Sequence, residues 1–126
     1  MLVLQGIQGA RKSSSFIALS GKPEWCLESM PSLRDSDSMN ILRGKSICVF
    51  NELDSIHGSG ISRVKDFLTC RVDSFRPKYG RYVIDVPRSC VFGGTANDHQ
   101  CLPPDSSGHR RYWPVRVFRE KKEKIL

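Results

Sequence analysis

The chain has 126 residues and a mass of 14.3 kDa, the size of one domain that buries ~65% of its unfolded surface, so a second full domain within it is excluded. Hydrophobic residues at 39% beside ten glycines are ordinary for a globular chain and exclude wholesale disorder. Twenty Lys plus Arg against 13 Asp plus Glu give a formal charge of +7 and a pI near 9.4, a balance that favours anionic partners such as nucleotides or nucleic acid.

Leu2-Val3-Leu4 is a short apolar run that breaks into Gly6-Ile7-Gln8-Gly9, followed by Lys12-Ser13-Ser14-Ser15 and Phe16-Ile17-Ala18-Leu19. That order reads as strand, glycine loop, helix. Gly21-Lys22-Pro23 ends the helix, and residues 24–40, with Pro31 and a Ser/Asp-rich patch at 35–38, read as loop with one short element. Ser46-Ile47-Cys48-Val49-Phe50 is too short for a helix and rich in β-formers, and it predicts a buried parallel strand ending at Asn51-Glu52. Val64, Phe67 and Leu68 recur at i, i+3 and i+4, the spacing of an amphipathic helix preceded by a loop at His57-Gly58-Ser59-Gly60. From Arg71 to Arg88 the chain is cationic and aromatic: Arg71, Arg76, Lys78, Arg81 and Arg88 interleave with Phe75, Tyr79 and Tyr82. Ser89-Cys90-Val91-Phe92 predicts another strand, leading through Gly93-Gly94-Thr95-Ala96 to Asn97. A last strand is predicted over 112–118, and 119–126 is a charged tail expected to fray. There is no internal repeat.

No apolar run approaches the ~18 residues of a membrane span, and the opening six residues are too short for a signal-peptide core. A cytoplasmic protein with no membrane partner is the expectation. The five cysteines, Cys26, Cys48, Cys70, Cys90 and Cys101, are odd in number and contain no C-x-x-C pair, so reduced, mostly buried thiols are expected rather than a zinc site or a disulfide framework.

The chemistry concentrates at the first loop. A phosphate-binding P-loop reads G-x-x-x-x-G-K-[ST] between a strand and a helix, because backbone N–H groups surround the phosphate oxygens and the helix N-terminus adds its positive end. In Gly6-Ile7-Gln8-Gly9-Ala10-Arg11-Lys12-Ser13, the residues Gly6, Lys12 and Ser13 match, and Arg11 stands where the second glycine belongs. A glycine there keeps a Cβ away from the phosphates, so Arg11 is expected to weaken binding unless its guanidinium pairs with phosphate. The same residues also fit a glycine turn with a surface Lys and Arg.

A P-loop NTPase further needs acidic chemistry at the end of a neighbouring strand. Asn51 offers a neutral oxygen to Mg²⁺ or its waters, and Glu52 is placed to activate the attacking water; alone, Glu52 also fits an exposed strand-end carboxylate. Asn97 follows the third strand and is the candidate to hold water or sense the γ-phosphate, or else a turn-former beside Asp98. Arg110 and Arg111 precede the last strand, a position for an arginine finger reaching a neighbouring subunit or for plain solvated charge.

The order and wording of these segments resemble the virulence-associated protein E family of P-loop NTPases from Gly6 to Val115. The family's Gly-x-Gln-Gly-x-Gly-Lys-Ser-Thr-Phe is similar to Gly6-Ile7-Gln8-Gly9-Ala10-Arg11-Lys12-Ser13-Ser14-Ser15-Phe16, one residue longer before the Phe. Leu42-Arg43-Gly44-Lys45 to Glu52-Leu53-Asp54, Val64-Lys65-Asp66-Phe67-Leu68, Asp73-Ser74-Phe75-Arg76-Pro77-Lys78-Tyr79-Gly80-Arg81, Pro87-Arg88 and Gly94-Thr95-Ala96-Asn97 follow in family order. Gly108-His109-Arg110-Arg111-Tyr112-Trp113-Pro114-Val115 resembles the family's Gly-Asn-Arg-Arg-Phe-Trp-Pro-Val, with His109 for the asparagine.

The resemblance implies an α/β P-loop NTPase core of the superfamily 3 helicase or AAA-like kind, spanning 1–118, carried by phages, prophages and other mobile elements. The expected sheet is mainly parallel, with about four strands flanked by helices. ATP and Mg²⁺ are the implied cofactors. Gly6, Gln8, Gly9, Ala10, Arg11, Lys12, Ser13 and Ser14 would bind nucleotide, with Lys12 on the β/γ-phosphates and Ser13 and Asn51 at the metal. Glu52, Asn97, Arg110 and Arg111 would carry catalysis in a homo-oligomeric ring. Arg76, Lys78, Tyr79, Arg81 and Arg88 would contact single-stranded or replication-origin DNA. Two functions follow: a helicase-like ATPase for mobile-element DNA replication, or a truncated or decayed remnant that keeps the fold and a basic DNA-contacting surface. Family members usually extend well beyond 126 residues, so the chain is expected to be a fragment or the product of a decaying gene.

Overall fold

A computed structural model describes residues 1–33, 38–53, 59–97 and 111–119. Along the chain come β1 (Leu2–Gln5), α1 (Lys12–Ser20), a 3-10 turn (Pro23–Trp25), β2 (Cys26–Leu27), α2 (Ser38–Ile41) and β3 (Ile47–Phe50). Then follow α3 (Ser59–Thr69), β4 (Val72–Phe75), β5 (Ile84–Pro87), β6 (Val91–Ala96) and β7 (Trp113–Arg116). Five strands form one parallel sheet in the order β2-β3-β6-β1-β7, and β4 and β5 form a separate antiparallel hairpin.

The parallel sheet follows from strands that are apolar on both faces. Side chains alternate across a strand, and here both sets are buried. Val3, Cys48 and Phe50 join one cluster with Leu42, Leu53, Val64 and Phe67, whereas Leu4 and Val49 join Phe16 and Cys26 in another. Helix α3 therefore covers one face and α1 the other, as parallel sheets require. At Gly93 on β6 a Cβ would sit 2.3 Å from the Phe16 ring, so the bare backbone is what lets α1 lie against the sheet. On the α3 face Phe50, Phe67 and Phe92 pack ring to ring, with centroids 5.3 to 6.2 Å apart.

Strands form at all four predicted runs, with β6 starting at Val91 and running on through Gly93 to Ala96, and the sheet gains a fifth strand in the two-residue β2. Helix α3 begins at Ser59, within what the sequence suggests is its preceding loop. The hairpin is the larger difference. Asp73 and Phe75 both point inward on β4, so a buried carboxylate interrupts the apolar alternation by which a strand is read. Arg88 resolves that burial. Its Nε donates to Asp73 Oδ2 at 3.1 Å, its Nη2 to Oδ1, and its Nη1 to the Phe67 carbonyl oxygen, while the guanidinium carbon lies 4.2 Å from the Phe67 ring centroid. Arg88 is thus a buried anchor between hairpin and core, which corrects its assignment to a DNA-contacting surface.

Among the described residues no helix is long and apolar enough to cross a membrane. Cys26 and Cys48 are buried, Cys90 is half-buried and Cys70 is exposed, so the expectation of buried thiols holds for part of the set. Cys101, Arg110 and residues 120–126 of the tail lie outside the described residues.

Candidate functional site

Because the five strands are parallel, their carboxyl ends share one edge, the place where ligands bind in open α/β sheets. β1 ends there in the loop to α1, β3 in Asn51 and Glu52, and β6 in Asn97. An open cavity of about 420 Å³ lies between them, lined by Gln8, Gly9, Ala10, Arg11, Lys12, Ser13, Ser14, Asn51, Glu52, Thr95, Ala96 and Asn97. The structure therefore brings together nearly all the nucleotide-side residues expected from the sequence.

The loop owes its shape to hydrogen bonds at both ends. Gly6 N donates to the Ala96 carbonyl at 3.2 Å, Ala10 N to the Ile7 carbonyl at 3.3 Å and Ser15 N to the Arg11 carbonyl at 3.0 Å. Gly9 (φ 83°) and Arg11 (φ 57°) take left-handed conformations. Arg11 caps α1 without a side-chain hydrogen bond, and the first turn carries no acidic residue. The first N–H groups of a helix have no partner within it, so those of Lys12, Ser13 and Ser14 give this end of the cavity a positive field. Lys12 Nζ bonds the carbonyl oxygens of Gly6 and of Ala96, the latter at 3.0 Å, which lays the ammonium against the floor between β1 and β6.

Opposite the loop, Asn51 Nδ2 donates to the Glu28 carbonyl at 2.8 Å, and Thr95 Oγ1 lies 3.4 Å from Asn51 Oδ1. Glu52 N donates to Thr95 Oγ1 at 3.3 Å. Thr95, buried on β6, is the residue that sequence reading missed. Its signal is positional: one residue before Ala96 on a strand that the sequence does not place beside β3. Glu52 itself has φ 53°. Of the three described non-glycine residues with positive φ, Arg11 and Glu52 both line this cavity, and such outliers concentrate at functional sites.

The metal expected from the sequence is Mg²⁺. No group of three or more His, Cys, Asp or Glu side chains could hold a metal among the described residues. Ser13 and Asn51 offer neutral oxygens across the cavity, which suits an ion that keeps several waters and takes its remaining ligands from phosphates. The residues fit a metal held chiefly by water and by the oxygens of a bound ligand.

Arg111 is not at this edge. It stands before β7, whose direction matches β1, and so lies at the amino-terminal end of the sheet, where its carbonyl accepts from the Met1 amino group at 2.6 Å. The hairpin residues Arg76, Lys78, Tyr79 and Arg81 are exposed, Tyr79 at 96%, and do not line the cavity.

A sequence model of the virulence-associated protein E-like domain matches residues 1–126. The chain belongs to this family. Two solved structures share the fold of this family member: the A form apo structure of the NrS-1 C terminal region, and that of the same region over residues 305–718. Their TM-scores are 0.64 and 0.66, at 20% and 18% sequence identity. They cover 92% and 99% of this chain, but the chain covers only 28% and 30% of theirs, so it spans under a third of their length. No curated protein matches it.

Proposed function

We propose that the chain is the ATP-binding and ATP-hydrolysing core of a helicase-like protein that serves DNA replication of phages or other mobile elements. The cavity at the carboxyl edge carries the reading: it gathers a lysine, helix N–H groups, a hydroxyl, an amide and a carboxylate around a space suited to a polyphosphate. The glycine loop is then a P-loop. Lys12 exchanges its backbone carbonyls for the β/γ-phosphates, and Ser13 and Asn51 would hold a Mg²⁺ arriving with ATP, which would supply charge screening at the phosphates. Glu52 takes the proton of the attacking water, held in place by its backbone hydrogen bond to Thr95. Asn97 orients that water.

Arg111, remote from its own chain's cavity, acts on a neighbouring subunit's phosphate in a ring. Single-stranded DNA follows the exposed hairpin with Arg76, Lys78, Tyr79 and Arg81. Membership of the virulence-associated protein E-like family and the fold shared with the NrS-1 C terminal region support this reading.

A second reading, a non-catalytic remnant that keeps the fold and its basic hairpin, is favoured by the left-handed Arg11 and by Lys12 lying on carbonyl oxygens. Calorimetric titration with Mg-ATP separates the two. Lys12→Ala is expected to lose at least about tenfold in affinity, the loss of one charge-assisted phosphate contact. Glu52→Gln should bind ATP as the parent does and hydrolyse it at least ~100-fold more slowly. Undiminished affinity in Lys12→Ala removes the P-loop assignment.

A further inference from the structure

On β6, Thr95 stands beside Leu4 of β1, and the β3–β6 register, which sets Phe50 opposite Gly94, carries on to place it beside Asn51. A Cβ at Gly93 would meet Phe16, and one at Gly94 would meet Leu53 and Val3, so alternation turns Thr95 back to the face of Phe16 and α1. There it retains 6% exposure and lies on the wall of the carboxyl-edge cavity. A buried hydroxyl needs hydrogen-bond partners, and Thr95 finds them at the end of β3.

The direction of each hydrogen bond is fixed from the outer ends. A carbonyl oxygen only accepts, so the amide atom of Asn51 that meets the Glu28 carbonyl at 2.8 Å is the Nδ2 donor, and Oδ1 is left toward Thr95. Oδ1 accepts, so the Thr95 hydroxyl proton is directed at it across 3.4 Å. A backbone N–H only donates, so Glu52 N takes a lone pair of the same hydroxyl oxygen at 3.3 Å. One hydroxyl thus joins the side chain of Asn51 to the backbone of Glu52. Glu52 has φ 53°, a conformation that persists only where its surroundings hold it. Both contacts of the hydroxyl are longer than the ~2.7–3.0 Å of a full hydrogen bond, as catalytic hydrogen bonds often are before substrate is bound.

We infer that Thr95 is a positioning residue that couples Asn51 to Glu52: its hydroxyl sets the two together, so that a change at the Asn51 amide oxygen is felt at the Glu52 backbone. This role rests on the reading of the cavity as an ATPase site and deepens it, because the group proposed for the metal and the group proposed as base then do not act independently. A ligand that draws on Asn51 Oδ1 competes for the Thr95 proton and shifts the oxygen to which the Glu52 N–H is bonded. Filling of the cavity is thereby registered at the residue that takes the proton from water. Asn51 suits this place as a carboxylate does not. Its amide supplies a donor at one end and an acceptor at the other, whereas a carboxylate oxygen in place of Nδ2 would face the Glu28 carbonyl.

Hydrogen exchange at the Glu52 amide, followed by NMR in the ligand-free chain, reads this coupling without any nucleotide. Thr95→Val keeps the shape and removes the hydroxyl, with Thr95→Ala as a second hydroxyl-free variant, and each should speed that exchange several-fold. Thr95→Ser should restore the parent rate. Asn51→Ala should speed the exchange several-fold in the parent background and much less in the Thr95→Val background, where only the direct effect of a chain neighbour remains. In steady-state hydrolysis, Thr95→Val should lower kcat about tenfold or more with the KM for ATP within about twofold, and Thr95→Ser should recover kcat. An unchanged Glu52 amide in the hydroxyl-free variants overturns the inference, as does an equal response to Asn51→Ala in both backgrounds or a kcat that serine does not recover. A parent chain that hydrolyses no ATP overturns instead the function proposed above, and the exchange rates still decide whether Thr95 couples the two residues.

Discussion

In the loop between β1 and α1, Arg11 is the residue that carries a side chain on a left-handed backbone conformation, the other such position being Gly9. From the sequence, a glycine at this position looks necessary for close approach of backbone to phosphate. The structure gives a different reason: φ of 57° and ψ of 30° at the residue that caps the start of α1. A Cβ in that region costs about 1–2 kcal/mol, partly offset because glycine loses more entropy on folding. Arg11→Gly is therefore expected to raise stability by about 0.5–1 kcal/mol, read from the midpoint of urea unfolding, and to tighten ATP binding up to about tenfold. A stabilised protein with weaker ATP binding would make the Arg11 guanidinium a phosphate ligand in its own right and would remove the main support for the remnant.

Among the elements, the β4–β5 hairpin depends most on a single contact. Asp73 and Arg88 retain only 7% and 6% of side-chain exposure, and the guanidinium stacks against Phe67 and Phe92 at 4.2 and 5.1 Å. Removing one partner of a buried pair leaves the other charge without compensation, at a cost of about 3–5 kcal/mol. Arg88→Met should lower the unfolding free energy by that amount, read from the shift of the urea midpoint multiplied by m. The double variant Arg88→Met with Asp73→Leu should recover most of it, because a buried pair is commonly worth little against apolar residues of similar size. If the double variant is no better than the single, the stacking on the two phenylalanines rather than the ion pair holds the hairpin.

For the whole molecule, the net charge of +7 gives general attraction to polyanions, and the exposed hairpin cations are where the proposed DNA contact can be tested. Lys78 and Tyr79 stand between β4 and β5, with Arg76 and Arg81 beside them, all exposed. Neutralising Arg76, Lys78 and Arg81 with glutamine should weaken single-stranded DNA binding and make log K against log salt shallower by about 2, at ~0.7 per lost phosphate contact. Tyr79→Ala should cost about 1–3 kcal/mol with little change in that slope, since stacking on a base is not electrostatic. Fluorescence anisotropy over a salt series checks both, and an unchanged slope would move the DNA contact off the hairpin.

Much of the site was legible because its chemistry is local. Gly6, Lys12 and Ser13 lie within eight residues between an apolar run and a helix, and Asn51 and Glu52 directly follow the strand that positions them, so chain order alone fixed their place on the carboxyl edge. Apolar strands buried on both faces equally determined a parallel sheet. Three matters were left to the tertiary structure. The order β2-β3-β6-β1-β7 inserts β6 between β1 and β3, and only that insertion brings Thr95 to Asn51 and Glu52. Arg88 reads as one more surface cation until Asp73 is found buried beside it, because charge in a sequence carries no sign of its depth. Cys48 and Cys90 are 42 residues apart, and they come to one sheet face through the β3–β6 register, which sets Cys48 opposite Phe92 and which no local propensity encodes.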